Sequence, residues 1–385
     1  MQKREQRDST PSNGCGCGWP ENGTPEQESR EDDSIRLFTE GDALYAAMLA
    51  SIQGARHAVR MESYIFASDE IGWQFAEALA ERAAAGIDVR LHLDAAGAWR
   101  NSSLALLRHL RDRGVCVRWF HRWRWRQPLR YNRRNHRKLL VIDEHTAYVG
   151  GFNIHRESSR KFFGASRWRD THAEISGPLV KDAAQLFDAI WRGHRRWMPA
   201  QHIGRATRLV SNHTRTCRHQ IHCLYSELFA SARDRIYLTT PYFVPDPLTL
   251  LHLMAAARRG IDVRLLVPSK SDVPITRWAA HAFYGALMSS GVRIYEYLPR
   301  MLHAKTVVID GRRATLGTAN LDYRSFFLNY ELLLAMAGPR ECALLEQHFI
   351  DDLSEARLIV AHTWARRRWA GKLLEGVGWV LRRWL

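Results

Sequence analysis

Two hydrophobic periods alternate along the chain after about residue 33. Residues 41–55, GDALYAAMLASIQGA, repeat apolar side chains every three to four positions, which predicts a helix, whereas residues 58–66, AVRMESYIF, are typical of a strand. Residues 72–87, GWQFAEALAERAAAGI, predict a second helix that leads into a strand at 88–94, DVRLHLD. The alternation of helix and strand predicts an α/β fold.

Several segments of the chain occur twice. The hexamer GIDVRL begins at Gly86 and again at Gly260, and a Gly-Pro pair precedes one predicted helix late in each half. Self-similarity of this kind indicates an internal duplication. We place the two halves at about residues 34–205 and 206–361.

A pattern of histidine, lysine, aspartate and asparagine residues, all of which can take part in catalysis, is also duplicated. Residues 135–153, NHRKLLVIDEHTAYVGGFN, align with the segment from Leu302, LHAKTVVIDGRRATLGTANLDYRS. Each copy predicts a strand, a tight turn and a returning strand. The aligned residues are His136, Lys138, Asp143 and Asn153 in the first copy, and His303, Lys305, Asp310 and Asn320 in the second.

The alternation of side chains between the two faces of a strand separates the roles of these residues. Side chains two positions apart share a face, so His136 and Lys138 point the same way, as do His303 and Lys305. Asp143 follows His136 by seven positions, an odd number, and therefore faces away from it. We expect Asp143, and by analogy Asp310, to have a mainly structural role in holding the turn of the motif.

The paired motifs predict a site for a phosphodiester. Two histidines from facing halves, each with a lysine and an asparagine, would form a cationic pocket rich in hydrogen-bond donors. One imidazole can attack phosphorus while the other transfers protons, and the lysines and asparagines can stabilise charge on the phosphoryl oxygens. Because each histidine has an ammonium group two residues away, we expect no metal and no cofactor.

These motifs resemble those of the phospholipase D superfamily. Within it, the Gly-Gly-Phe-Asn of the first motif, WRDTHAEISGP from Trp168 and TTPYFVPD from Thr239 are similar to bacterial cardiolipin synthases. The resemblance covers about residues 35–360. It implies two tandem phospholipase D-like domains, each a mixed β-sheet flanked by helices, related by pseudo-twofold symmetry with the active site between them.

The resemblance also implies roles for particular residues. In the family a carboxylate downstream of each motif orients a catalytic histidine, and the matching positions are Asp170 and Glu331. Which acid serves which histidine stays open. The resemblance makes His136 the nucleophile and His303 the general acid and base, with the reverse assignment left open.

The activity that the resemblance implies is cardiolipin synthesis. A phosphatidyl group moves through a phosphohistidine onto the headgroup hydroxyl of phosphatidylglycerol, and the donor is phosphatidylglycerol or phosphatidylethanolamine. The alternatives are a phospholipase D that uses water as acceptor, a nuclease or other nucleic-acid phosphodiesterase, and a non-catalytic lipid-binding scaffold. We expect a monomer that does not act on nucleic acid, because one chain carries both motifs and its tryptophan-rich terminus suits lipid.

Composition adds partners and location to this prediction. The 385 residues are enough for two cores, and the formal charge of +16 suits anionic partners such as acidic phospholipid. Residues 1–33 are polar and predict a disordered tail, and the six irregularly spaced cysteines predict free thiols. With no run of about 18 apolar residues, the chain resembles the shorter cardiolipin synthases and predicts peripheral association with the bacterial cell membrane.

Two segments are candidates for membrane contact. Residues 362–385 predict an amphipathic helix on anionic lipid, with a helix packed on the second domain as the alternative. Residues 118–136, RWFHRWRWRQPLRYNRRNH, combine tryptophan with arginine and predict contact with lipid headgroups; single-stranded nucleic acid or a solvated loop are the alternatives. The apolar face of the C-terminal helix comprises Trp369, Leu373, Val377, Val380 and Trp384.

Overall fold

A computed structural model describes residues 33–122, 131–193, 207–212, 219–367, 375, 376, 378 and 380. The strands of the first half are β1 (Ser34–Phe38), β2 (Ala58–Ser63), β3 (Asp88–Asp94), β4 (Cys116–Phe120), β5 (Leu139–Ile142), β6 (Thr146–Gly150) and β7 (His172–Ser176). Those of the second half are β8 (Thr207–Ser211), β9 (Arg235–Thr239), β10 (Phe243–Val244), β11 (Asp262–Pro268), β12 (Arg293–Tyr297), β13 (Thr306–Ile309), β14 (Arg313–Gly317), β15 (Leu321–Asp322), β16 (Leu332–Met336) and β17 (Ala356–Leu358).

Helices connect these strands in both halves. In the first half they are α1 (Gly41–Gln53), α2 (Glu70–Ala84), α3 (Ala95–Asn101), α4 (Leu104–Asp112), α5 (Arg160–Phe163) and α6 (Leu179–Trp191). In the second half they are α7 (Gln220–Ser231), α8 (Pro247–Arg258), α9 (Pro274–Ser289), α10 (Tyr323–Phe327), α11 (Pro339–Ser354) and α12 (Ala361–Ala365).

Each half contains one mixed sheet with the same strand order. The first sheet runs β1-β7-β6-β5-β2-β3-β4, and the second, taken from its equivalent edge, runs β8-β16-β14-β13-β9-β11-β12-β17. In both, the strands that precede the crossover helices are parallel and the motif hairpin is antiparallel. The predicted α/β fold with two helix-flanked mixed sheets is confirmed. Among the described residues, the second sheet differs by one additional edge strand, β17.

The two halves share part of their hydrophobic core. Phe75 and Leu106 belong to a cluster within the first half, and Leu224 and Phe283 to one within the second. A third cluster joins side chains of both halves, including α6 and α11 and the motif hairpins. Because this shared core holds the two sheets together, it also holds the two copies of the motif in a defined relative position.

Short polar interactions position the loops at the ends of the parallel strands. Asp94, the last residue of β3, accepts a hydrogen bond from the backbone N–H of Ala96 (2.8 Å) and so caps α3. Its second carboxylate oxygen accepts from the backbone N–H of Asn135 (2.7 Å). One buried carboxylate thus fixes both the start of α3 and the segment that leads into the first motif.

The structure differs from the sequence prediction in where the motif strands begin. β5 starts at Leu139 and β13 at Thr306, so each His-x-Lys pair lies in an extended segment just before its strand. The N–H of His136 donates to Tyr330 of the other half instead of a neighbouring strand of its own sheet. The predicted tail and the predicted boundary at residues 205 and 206 lie outside the described residues.

Within the described ranges, no helix combines the length and apolarity needed to cross a bilayer. Cys116, Cys223 and Cys342 are free thiols, as predicted, and the other three cysteines lie outside the described residues.

Candidate active site

The two motif histidines meet where the halves join. The backbone N–H of His136 donates to the carbonyl of Tyr330 (2.9 Å), and that of His303 donates to Arg169 (2.7 Å). Short parallel bridges flank both contacts, one on each side of the boundary between the halves. Each histidine is therefore held by a segment of the opposite half.

The carboxylates downstream of the motifs cross between the halves. His136 Nδ1 lies 3.0 Å from Glu331 Oε2, and His303 Nδ1 lies 2.6 Å from Asp170 Oδ2. Because an ionised carboxylate only accepts, these contacts favour the tautomer of each ring that has its hydrogen on Nδ1 and its lone pair on Nε2. The question that the sequence left open is settled geometrically: each acid contacts the histidine of the other half.

The two acids have different supports. Glu331 also accepts a hydrogen bond from the hydroxyl of Thr318 (2.5 Å), whose Oγ1 in turn accepts from the backbone N–H of Leu332 (2.9 Å). In the first half Gly151 occupies the position of Thr318, and a Cβ there would lie 2.0 Å from Asp170 Oδ1. Gly151 is therefore required for the close approach of the Asp170 carboxylate.

Both motif lysines are buried beside the histidines. Lys138 Nζ donates to the carbonyl of His136 (2.8 Å), and Lys305 Nζ donates to the carbonyl of His303. Burial, followed by repulsion from Lys305, lowers the pKa of Lys138 to about 7. Burial lowers the pKa of Lys305 to about 8, although nearby Asp170 and Glu331 favour its charged form.

The pocket keeps its histidines neutral and its acids ionised. Burial, then Lys305, lowers the pKa of His303 to about 3, and burial also lowers the pKa of His136 despite the nearby Glu331. Burial alone would raise the pKa of Asp170, but Lys305 and His303 outweigh it and lower that pKa. Neutral imidazoles with free Nε2 lone pairs can attack phosphorus or accept a proton.

The motif asparagines are buried with the histidines and lysines. Asn153 accepts a hydrogen bond at Oδ1 from the backbone N–H of Ile65 (3.3 Å). The backbone N–H of Asn320 donates to the hydroxyl of Ser325 (3.1 Å). The structure thus brings together the six groups His136, Lys138, Asp170, His303, Lys305 and Glu331, while Asn153 and Asn320 are buried and contact neighbouring loop residues.

Asp143 and Asp310 do not join this group. Asp143 lies in the turn after β5 with φ of 51° and accepts hydrogen bonds from the backbone N–H groups of Arg56, His57 and Ala58. Asp310 (φ 55°) does the same for the three residues from Arg233 to Arg235. Both aspartates tie the motif turn to the start of the adjacent antiparallel strand, β2 or β9. They lie in turns, and the histidines lie before the strands begin, so the alternation of side chains along a strand does not decide their orientation. Their mainly structural role stays a prediction.

Aromatic rings surround the histidines. The ring of Tyr64 lies 5.0 Å from that of His136, and those of Trp168 and Tyr242 lie 5.1 and 6.5 Å from that of His303. The sequence alone predicts no role for Trp168. Its position two residues before Asp170, on the same face of an extended segment, was the available signal.

A buried ion pair that the sequence did not predict lies behind the first motif. Arg137 Nε lies 2.9 Å from Glu62 Oε2, and both side chains are fully buried. The equivalent positions in the second half are Ala304 and Thr239, which carry no charge. The two copies of the motif are therefore embedded differently although their catalytic groups match.

Some predictions fall wholly or partly outside the described residues. Residues 123–130 of the predicted tryptophan-arginine segment and most of residues 368–385 are not described. Of the C-terminal segment, Glu375 pairs with Arg367 and Gly378 lies against Ala279 of α9. At Gly378 the C-terminal segment therefore packs on the second half, which is the alternative to the predicted membrane-bound helix.

No group of three potential metal ligands from histidine, cysteine, aspartate and glutamate occurs in the part of the chain that the structure describes.

Comparison with known proteins identifies relatives over most of the chain. Residues 48–191 and 225–353 match the family model described as cardiolipin synthase, PLD-like domain. Cardiolipin synthase 2 of Bacillus anthracis is 36% identical over 361 residues, covering 88% of this chain and 68% of that protein. The cardiolipin synthase of Geobacillus kaustophilus is 35% identical, covering 90% of this chain and 71% of that protein.

Solved structures share the fold at low sequence identity. Phosphatidylserine synthase of Haemophilus influenzae matches with a TM-score of 0.69 at 14% identity, covering 91% of this chain and 95% of that one. Polyphosphate kinase of Porphyromonas gingivalis matches with a TM-score of 0.60 at 13% identity, covering 90% of this chain and 53% of that one.

Proposed function

The chain belongs to the cardiolipin synthase family of phospholipase D-like enzymes, and we propose that His136 and His303 carry out its phosphatidyl transfer through a covalent phosphohistidine. The protein is a phosphatidyltransferase. The acceptor is the headgroup hydroxyl of phosphatidylglycerol, and the product is cardiolipin. The donor is a second phosphatidylglycerol, which releases glycerol, or phosphatidylethanolamine, which releases ethanolamine.

In the first half-reaction the neutral Nε2 of His136 attacks the phosphorus of the donor. The bond from phosphorus to the headgroup oxygen breaks as a phosphorus–nitrogen bond forms, and His303 gives that oxygen a proton. In the second half-reaction His303 takes the proton of the phosphatidylglycerol hydroxyl, whose oxygen attacks phosphorus. The phosphorus–nitrogen bond then breaks and His136 is restored.

The remaining pocket residues support these steps. Lys138 and Lys305, when protonated, stabilise the negative charge on the phosphoryl oxygens, and Asn153 and Asn320 add hydrogen-bond donors. Glu331 and Asp170 hold the tautomers that place both Nε2 atoms in the pocket. Because His303 is neutral in the free enzyme, it takes up a proton from solvent as the phosphodiester binds, since the negative charge of the substrate favours the imidazolium.

The observation that carries this proposal is the crossed pairing of acids and histidines. Two imidazoles, one from each half, are both held through Nδ1 by a buried carboxylate of the opposite half. This arrangement supplies one nucleophile and one proton-transfer group to a single phosphodiester. One chain therefore contains a complete site, which supports a monomer.

The test is lipid analysis of a cardiolipin-deficient bacterial strain that expresses the wild-type chain or the His136→Ala variant. We expect cardiolipin by mass spectrometry with the wild type only, and headgroup labelling then identifies the donor. Asp143→Asn is the matched control because it alters the same motif away from the pocket. If phosphatidic acid is the only product, the protein is a hydrolase and not a transferase. If the wild type is folded and membrane-bound but makes no lipid product, both activities are excluded.

The location that we propose is peripheral, on an anionic membrane of the bacterial cell. The support is the charge of +16 and the lipid substrate of the proposed reaction. Nucleic acid is not a substrate in this proposal, and absence of cleavage of single- and double-stranded DNA by the purified protein is the expected result.

A further inference from the structure

Two large apolar side chains project into solvent just after β3. Trp99 at the end of α3 is 77% exposed, and Leu104 at the start of α4 is 71% exposed. The loop between them is tied to the segment after β2, since the backbone N–H of Ser68 donates to the carbonyl of Asn101 (2.8 Å). An ordered loop that exposes a tryptophan and a leucine is typical of an interaction surface.

A single residue, Tyr64, lies between the helix that leads into this loop and His136 of the candidate active site. α3 packs so closely on Tyr64 that a Cβ on Gly97 would lie 2.2 Å from the carbonyl oxygen of Tyr64. The ring of Tyr64 in turn lies 5.0 Å from the ring of His136. Trp99 follows Gly97 by two residues on the same short helix, so its side chain points away from Tyr64 and into solvent, on the element that packs next to the His136 end of the site.

The second half also exposes apolar side chains beyond the ends of its parallel strands β9 and β11. Leu248 and Leu251, in the first two turns of α8, are 43% and 59% exposed. α8 follows β10, which pairs with β15 directly after Asn320. Val273 is also exposed, and its neighbour Asp272 accepts a hydrogen bond from the hydroxyl of Tyr242 (2.7 Å), a ring that lies beside His303.

Basic side chains accompany these apolar groups. Arg100 follows Trp99 directly, Arg108 lies one helical turn beyond Leu104, and Lys270 lies in the loop that leads to Val273; all three are exposed. Apolar side chains that insert a short distance, flanked by cations, match the boundary between acyl chains and anionic headgroups.

We propose that Trp99 and Leu104 of the first half, with Leu248, Leu251 and Val273 of the second, form a rim around the active-site opening that docks on an anionic phospholipid bilayer. The inference rests on the proposed function, because a lipid substrate keeps its acyl chains in the bilayer while its phosphodiester reaches the histidines. A rim at this position holds the opening against the headgroups. It acts in addition to any contact made by residues 362–385.

The experiment compares vesicle binding of the full-length wild type with that of Trp99→Ser/Leu104→Ser. The matched control is Leu344→Ser, which replaces a helical leucine that is 41% exposed. β16 runs from its start beside Glu331 away from the site, so Leu344, in the second turn of α11, lies towards the far end of the sheet. All three side chains are exposed, so the substitutions are expected to leave folding intact.

Cosedimentation with vesicles of phosphatidylglycerol and phosphatidylcholine is the first measurement. We expect the double variant to bind at least about 10-fold more weakly than the wild type, from the loss of two inserted apolar side chains, and Leu344→Ser to bind like the wild type. Wild-type affinity of the double variant would overturn the rim. A change in self-association measured by light scattering, with unchanged vesicle binding, would assign the surface to a second copy of the chain and also overturn it.

The second measurement separates this inference from the proposed function. With short-chain phosphatidylglycerol below its micellar concentration, the double variant should transfer phosphatidyl groups within about twofold of the wild type, and with vesicles at least about 10-fold more slowly. Equal losses on both substrates would overturn the rim as a docking surface. If the wild type makes no product from either, the proposed function fails, and the sedimentation result alone decides the rim.

Discussion

Lys138 and Lys305 place two ammonium groups in a pocket where burial opposes their charge. Their pKa values of about 7 and 8, against an ordinary value of 10.5, mean that the free enzyme holds these protons weakly at neutral pH. An anionic phosphodiester between the lysines would favour their charged forms and raise both pKa values. Substrate binding and proton uptake are therefore expected to be coupled.

Proton uptake on anion binding can be measured directly. At pH 8.5 both lysines are largely neutral in the free protein, so binding of inorganic phosphate should draw protons from the buffer. Titration calorimetry in two buffers with different ionisation enthalpies should therefore give different apparent enthalpies. Identical enthalpies in both buffers would show that the pocket does not change its protonation.

Replacing one lysine should separate stability from activity. Lys138→Met removes a cation that burial disfavours, so below about pH 7 the free energy of unfolding should rise by about 1 kcal/mol or more. The stabilisation should shrink as pH rises from about 7 towards 10.5, because the folded wild type no longer holds the proton there while the unfolded chain does.

The same variant should lose activity, with kcat/KM lower by about 10²- to 10³-fold because a charge that stabilises the phosphoryl oxygens is gone. Urea unfolding at pH 6.5 and 9 and vesicle kinetics measure the two effects. A variant that is less stable than the wild type at pH 6.5 would contradict the inferred cost of burying Lys138.

At the scale of elements, the motif hairpins are repeated structural units whose turn aspartates contact backbone N–H groups. Asp143 and Asp310 each use both carboxylate oxygens to bind three successive backbone N–H groups at the start of the adjacent strand. The hairpins are thereby joined to β2 and β9, the strands that end beside Tyr64 and Tyr242. The motif aspartates support the site from the opposite end of these strands.

Asp170, which contacts a histidine, and Asp143, which binds backbone N–H groups, should respond differently to substitution. Asp170→Asn should lower kcat by about 10³-fold or more, because the amide no longer favours the catalytic tautomer of His303. Asp143→Asn should change kcat far less and lower the free energy of unfolding by about 1–3 kcal/mol through weakened backbone hydrogen bonds. Steady-state kinetics and thermal unfolding of the two variants make the comparison, and a larger loss of kcat at Asp143 would refute its structural role.

At the scale of the whole molecule, the site exists only because the halves exchange supports. Tyr330 and Glu331 of the second half hold His136, while Arg169 and Asp170 of the first hold His303. The shared core between the sheets keeps these contacts in register. A displacement of one half relative to the other would disturb both histidines at once.

The crossed pairing predicts a specific response in nitrogen-15 NMR of histidine-labelled protein. Glu331→Gln should perturb the ring-nitrogen signals of His136 and leave those of His303 nearly unchanged, whereas Asp170→Asn should do the reverse. Spectra of His136→Ala and His303→Ala supply the assignments. Perturbation of the histidine in the same half as the mutated acid would contradict the pairing.

The sequence by itself determined the α/β class, the duplication and the two His-x-Lys motifs, because these follow from periodicities of two and 3.6 residues and from repeated spacing. Only the tertiary structure decided which acid binds which histidine, the closeness of Trp168 to His303, and the Glu62 to Arg137 ion pair behind the first motif. The physical reason is that these contacts join residues far apart in sequence or on different strands. Their distances depend on how the two sheets pack against each other, and no local pattern contains that information.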